Sequence, residues 1–243
     1  MDSSTIDLCL EIFDWAKFRR TQGAIKLHLL LDHDGYLPSF AIIAEGNVSD
    51  VKMARQFHFD PGAIVVDDRG YNDYALLGRW TSQGVYFVTR MKDNALYDVV
   101  GEGKVPQNRH ILKDQMIELT GPKAIEKCPY PLRRIEVDDP ETEEVLVFLT
   151  NNLKLGATTI AAISKERWQI EIFFKALKQN TKIKTFVGTS ANAVKIQIWT
   201  ALIATLILRF LQLRSQFNGS LSNLVGPLAN EPLSSSRSLG LGQ

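Results

Sequence analysis

Short apolar runs and regular spacings divide the first ninety positions into strands and helices. Residues 24–32 (AIKLHLLLD) and 37–46 (LPSFAIIAEG) read as two strands, joined through His33-Asp34-Gly35, a hairpin turn signal. Residues 49–58 read as a helix with Ser49 as N-cap. Ala63 to Val66 is an all-apolar run suited to a buried strand, and it ends at Asp67-Asp68-Arg69-Gly70. A helix capped by Asn72 or Asp73 follows and closes near Gly84, and Val85 to Thr89 is a second buried strand. That strand–helix–strand unit predicts two parallel neighbours in one sheet.

From Lys92 to Thr150 the pattern changes to short alternating runs such as QMIEL, LRRIEV and EEVLVFL, broken by Gly, Pro and charges. Helical spacing resumes near Thr158 and runs to about Leu177, and a second long helix covers about 192 to 214. The last residues, rich in Ser, Gly and Leu without period, predict a poorly ordered tail. The division that follows is 1–93 as the first part of a core, 94–150 as a β-rich insertion, 151–216 as the rest of the core, and 217–243 as the tail.

Composition narrows the function classes. The chain has 28 basic and 27 acidic residues for a net charge of +1, so a globally cationic nucleic-acid coat is excluded. Nucleic-acid contact would need local patches, of which 17–26 and 165–184 are the candidates. Cys9 and Cys128 form no zinc or disulfide pattern. The N-terminus is polar and acidic rather than a signal peptide, and Ile196 to Leu208, at 13 residues, falls short of the roughly 20 that span a bilayer. These features predict a cytoplasmic protein without a membrane segment, whose apolar C-terminal helix, Trp199 included, belongs to a core.

The most distinctive pattern is in SKERWQIEIFFKALKQN. At about 100° per residue, Ser164, Arg167, Glu171, Lys175 and Lys178 share an arc of roughly 80°, beside the apolar arc of Ile163, Ile170, Phe173, Phe174 and Leu177. One carboxylate therefore stands inside a cationic stripe. A solvated face with Arg167–Glu171 as a surface ion pair gives the same pattern; so does a carboxylate that holds a metal beside cations that hold phosphate. Asp68, just past a buried strand, stands where α/β sheets place ligands, and Asp2 opens the segment DSSTIDLCL. Hard divalent ions take oxygen donors of this kind. His28, on an apolar strand, reads as a hydrogen-bonded core histidine.

The run Arg167-x3-Glu171-x6-Lys178 resembles the Tyr-x2-Arg-x3-Glu-x6-Lys signature of bacterial insertion-sequence transposases of family four, which are DDE enzymes. DSSTIDLCL, VVDDRGYNDYA, YFVTRMKDN, LTNN and KTFVGTSANAVKIQIW resemble further blocks of that family in order. The resemblance implies an α/β fold, a ribonuclease H-like mixed sheet flanked by helices, with a β-rich insertion before the Glu-bearing helix. It implies Asp2, Asp68 and Glu171 as a catalytic triad binding Mg²⁺, with Mn²⁺ as substitute. Asp68 is preferred to Asp67 because it precedes Arg-Gly. Arg167, Lys178, Lys175 and Ser164 would lie along the DNA, with Arg90 and Lys92 as further DNA contacts. The implied partners are double-stranded DNA, both element ends and target, and a second copy of the chain on that DNA. Nucleoid association would follow from DNA binding.

Two departures stand against the family pattern. Position 164 is Ser where the signature has Tyr, and Asp2 follows Met1 directly where the family has more chain. Ser164 predicts weakened binding or coordination of cleavage; the start at Asp2, with the dissolved pattern beyond about Pro227, predicts a truncated copy and leaves a non-catalytic DNA-binding remnant as the alternative function.

Overall fold

The computed structural model describes residues 1–19, 22–107, 110–180 and 186–215. The expected tail, 217–243, lies outside the described residues, as do Arg20 and Thr21 of one basic patch and Lys182 and Lys184 of the other. The described chain divides into Met1–Ile172 and a second unit beginning at Phe173.

The first unit is α/β, the class expected. Its larger sheet has six strands: β5 (Ile64–Val66), β6 (Tyr86–Arg90), β7 (Tyr97–Glu102), β8 (Ile111–Leu119), β9 (Leu132–Asp139) and β10 (Glu144–Thr150). Their order is β5-β6-β10-β9-β8-β7. β5 and β6 are parallel, with Val65 opposite Phe87, and β10 pairs antiparallel with β6 through Phe148 opposite Arg90. The sheet is thus mixed, and β7–β10 continue the same hydrogen-bonded ladder as β5 and β6. A smaller sheet holds β1 (Asp2–Leu8), β2 (Lys17–Arg19), β3 (Gln22–Leu31) and β4 (Pro38–Glu45). β3 pairs with all three others, and β1 begins with Asp2 opposite Leu29.

Helices cover both faces of the larger sheet. α2 (Tyr74–Ser82) and α3 (Pro122–Lys127) join Leu76, Leu77 and Trp80 to Phe87, Ile117, Leu132 and Leu149 in one core. α4 (Ala157–Glu166) packs Ala157 and Ile160 against Val88, Ile111 and Ile135 in another. Phe87 and Val88 enter opposite cores because successive strand residues face opposite ways. α2 starts where Asp73 accepts a 3.0 Å hydrogen bond from Leu76 N, and ends before Gly84, whose φ of +72° suits a residue without Cβ.

Two helical expectations change. α1 covers only Asp50–Ala54, capped by Ser49, because Phe57 and Phe59 leave the helical path for an aromatic series with Phe40 and Trp80. The single helix expected from about Thr158 to Leu177 is interrupted at Arg167. There Arg167 N bonds Ser164 O and Ile170 N bonds Arg167 O, tighter i→i−3 links, and α5 (Trp168–Asn180) resumes beyond.

In the second unit α6 covers Ala191–Ser215. Val194, Ile198, Ala201, Leu202 and Thr205 are buried, but Ile196, Trp199, Ile203, Ile207 and Phe210 are exposed. The expectation of a core helix with Trp199 inside is therefore corrected. Apolar residues surround this helix, and burial covers one stripe of them. Counted as Ala191–Gln212, it is long and apolar enough to cross a membrane by length and composition.

Candidate active site

Three segments of the first unit carry the candidate acids. β1 supplies Asp2, the end of β5 supplies Asp67 and Asp68, and the first turn of α5 supplies Glu171. Two of them meet at the backbone: the Met1 ammonium donates to Val66 O at 2.5 Å, setting the start of β1 beside the end of β5. Burial lowers the pKa of that ammonium.

Asp2 is almost fully buried. Its Oδ1 accepts from Ser3 N at 2.7 Å and its Oδ2 from Arg167 Nη1 at 3.1 Å. Burial pushes its pKa up to about 6, and the charge of Asp68 adds to that rise. The other end of the guanidinium, Nη2, lies 2.8 Å from Glu171 Oε1. One Arg167 side chain therefore holds two carboxylates that are 169 positions apart in sequence, one nitrogen to each.

Asp68 begins a 3-10 turn, Arg69–Tyr71, and its carboxylate accepts from Gly70 N. The helix-cap role assigned by sequence to Asn72 or Asp73 alone is thus shared: Asp73 caps α2 and Asp68 caps the preceding turn. Asn72 Nδ2 instead donates to Arg90 O at 2.9 Å, tying the end of β6 to the turn that carries Asp68. Asp67 is the surprise. It is 2% exposed, neither carboxylate oxygen meets hydrogen-bond geometry, and burial pushes its pKa up to about 7 against the opposing influence of the nearby Thr89 hydroxyl. Its backbone N–H bonds Val88 O at 3.2 Å and prolongs the β5–β6 ladder.

A partly buried polar network lies beside Asp2. Asp50 Oδ1 accepts from Ser3 Oγ at 2.8 Å and from Lys26 Nζ at 3.2 Å, and lies 3.7 Å from His28 Nδ1. His28 Nδ1 is also 3.4 Å from the Tyr71 hydroxyl. Burial pushes His28 down to about 4, so the ring is neutral near pH 7, as befits the core histidine expected. Asp50 escaped the sequence analysis because a first-turn acid of a short helix is ordinary; only the fold puts Ser3, Lys26 and His28 around it.

The other candidate residues are distributed more widely. Ser164 precedes Arg167 by one turn on α4 and is half-buried. The Arg90 side chain leans on Glu144 at 4.0 Å, and Lys92 is exposed just beyond β6. Lys175 and Lys178 lie on the portion of α5 that belongs to the second unit.

The donor chemistry suits a hard divalent cation: the oxygens are carboxylates, and Asp67 and Asp2 carry acid load that burial makes costly. The positions are not yet those of a bound ion. Among the described residues no group of three Asp, Glu, His or Cys side chains converges as a ready cation site, and the guanidinium stands between Asp2 and Glu171.

Residues 1–207 match the family model described as the transposase DDE domain. The chain is 34% identical over 216 residues to y4zB of Sinorhizobium fredii, a protein named as a transposase, covering 86% of this chain and 59% of that one. It is 29% identical over 226 residues to a protein of Geobacillus stearothermophilus named as a transposase for insertion sequence element IS5377, covering 91% and 59%. A third similar protein, from Synechocystis, is named as a transposase for element IS4SA, at 29% over 157 residues. The chain therefore spans about three-fifths of the length of the first two.

Proposed function

The chain belongs to the transposase DDE domain family, and from that premise we propose that it performs metal-dependent cleavage and strand transfer of DNA at insertion-sequence ends. The run Arg167-x3-Glu171-x6-Lys178 supports the reading that it is of the family-four group of insertion-sequence enzymes, with Ser164 where that signature has Tyr. The fold is of the ribonuclease H-like kind, with 94–150 inserted before the Glu-bearing helix. The observation that carries the proposal is the joint capture of Asp2 and Glu171 by Arg167, with Asp68 electrostatically coupled to Asp2.

Asp2, Asp68 and Glu171 would hold Mg²⁺ or Mn²⁺, which supplies an activated water or 3′-hydroxyl and stabilises the leaving oxygen. The residues of the chain do the rest. Asp50 fixes Ser3 and so orients the neighbouring Asp2. The Asp68 cap of Gly70 orients the second acid, and the interruption at Arg167 sets the angle at which Glu171 enters. Arg167, Lys175 and Lys178 along the helix, with Ser164, Arg90 and Lys92, would bind phosphates, Arg by its fork and Lys as point charges. The substrate is double-stranded DNA, two copies of the chain act on it, and the work is done in the cytoplasm at the nucleoid.

The test is nicking of supercoiled plasmid by the purified chain in Mn²⁺. Nicking that is lost with Glu171→Gln supports the proposal. DNA binding without nicking in any metal supports a non-catalytic remnant instead, and nicking indifferent to Glu171→Gln removes the assigned site.

A further inference from the structure

We propose that Arg167 is an internal counter-ion that closes the cation site in the DNA-free protein and opens it when its guanidinium transfers to a DNA phosphate. The inference rests on the metal-site reading above and adds the order of events. Two observations carry it, one in the side chains and one in the backbone.

The side-chain observation is exclusion. Arginine usually presents two nitrogens to one carboxylate. Here Nη1 serves Asp2 at 3.1 Å and Nη2 serves Glu171 at 2.8 Å, so the planar group lies between them. An ion of the magnesium kind sits about 2.0–2.1 Å from each of its oxygens. A guanidinium and such an ion cannot share that gap. Nor can the same fork hold both carboxylates and a phosphate. Arg167 must choose, and each choice has a consequence for the acids.

The exchange is also balanced in charge. Arg167 is partly buried, and it neutralises the almost fully buried Asp2 together with the more exposed Glu171. Its departure leaves Asp2 and Glu171 without that compensation, which raises their affinity for a divalent cation. DNA phosphate supplies the alternative partner that makes departure cheap. By reciprocity, a ligand that draws Arg167 away must tighten metal binding, and bound metal must tighten DNA binding by the same factor.

The backbone observation is a change of hydrogen-bond pattern at the same residue, whose φ of −52° and ψ of −30° stay helical. The helical path of α4 and α5 is interrupted at Arg167 itself, where i→i−3 bonds replace the regular ladder. A local tightening of that kind within a helix often marks a functional hinge. Residues on either side keep their helices, so a small change there swings the Arg167 side chain and leaves the flanking helices intact.

The experiment is titration of the full chain with Mn²⁺ alone, following free Mn²⁺ by electron paramagnetic resonance, with and without a short blunt duplex. Wild type, Arg167→Gln, Arg167→Lys and Glu171→Gln are compared, each checked for cooperative melting. Without DNA, Arg167→Gln binds Mn²⁺ roughly tenfold more tightly than wild type, toward the low end of ordinary site-to-site coupling. Arg167→Lys keeps the charge but not the fork, so it also binds more tightly than wild type. Duplex tightens Mn²⁺ binding to wild type by a similar factor, and to Arg167→Gln by much less.

Arg167→Lys equal to wild type reduces Arg167 to a background charge and overturns the closure. Duplex that leaves wild-type Mn²⁺ affinity unchanged overturns it too, even if Arg167→Gln does not fold. Failure of the metal-site reading looks different: Mn²⁺ binds no form, or binds Glu171→Gln as well as wild type, and the closure falls with the site.

Discussion

Arg167 and Asp2, 165 positions apart in the chain, meet at 3.1 Å, and that contact brings the start of β1 to the entry of α5. The same Asp2 is costly to the fold: burial outweighs Arg167 and lifts its pKa to about 6, so the ionised form is disfavoured. On the proposed function, activity and stability pull apart at this residue. Asp2→Asn is expected to melt no lower than wild type at pH 7.5, and up to about 1 kcal/mol more stably. It is expected to abolish Mn²⁺-dependent nicking. Thermal denaturation and the plasmid assay on the same preparation check both, and a marked loss of stability contradicts the first.

Asp67 makes a distinct pH signature. Its pKa in the fold is about 7, against an ordinary value of 3.8. The folded state thus holds this proton more tightly than the unfolded state. Its contribution is fully present below about pH 4 and is lost as pH rises through 7. His28 works in the opposite sense, from 6.5 down to about 4, so its contribution is complete above pH 6.5. The Met1 ammonium, lowered by burial, also opposes the loss. Comparison with Asp67→Asn isolates the acid: between pH 6.5 and 8 wild type loses stability relative to the variant, on the order of 1 kcal/mol. Parallel melting curves across that range contradict it.

Asp114 and Arg133 join β8 to β9 inside the larger sheet. Arg133 Nε and Nη2 each approach a separate Asp114 oxygen at 2.7 Å, and Nη1 reaches the carbonyls of Asn152 and Leu155 before α4. Asp114→Ala leaves a buried guanidinium unpaired and is expected to cost about 3–5 kcal/mol. Replacing both by leucine recovers most of that loss in chemical denaturation, because an apolar pair carries no desolvation penalty. A double variant as unstable as the single one contradicts this.

Gly78 stands inside α2, where alanine ordinarily favours a helix by about 1 kcal/mol. Here a Cβ would meet Lys127 O at 2.0 Å, a backbone atom that cannot rotate away. Gly78→Ala is expected to destabilise by about 1–3 kcal/mol, since α2 and α3 must separate to admit the methyl group. A raised melting temperature contradicts the close approach.

Much of the fold was legible because local pattern and tertiary need agreed. The β3–β4 hairpin, the parallel β5–β6 pair and the Asp73-capped α2 all follow from alternation, turn residues and caps. Arg167 and Glu171 were legible as an ion pair at helical spacing, which the structure holds at 2.8 Å; that Asp2 from a distant strand shares the same guanidinium was not, because only the fold brings β1 to that helix. Other features depend on distant partners. No local signal marks Phe57 as the end of α1, because Phe40 and Trp80 draw it out. Nothing in the sequence singles out Asp67 as the buried acid, or Asp50 as the hub for Ser3, Lys26 and His28. The apolar run in α6 read as core because hydropathy counts residues without saying which stripe is covered.

The most direct test is crystallographic: the chain bound to duplex DNA in Mn²⁺, with the ion located by its anomalous scattering. The expected map places Mn²⁺ against carboxylate oxygens of Asp2, Asp68 and Glu171, with the Arg167 guanidinium withdrawn to a phosphate. An ion elsewhere, or Arg167 still bridging Asp2 and Glu171 with DNA in place, contradicts the assignment.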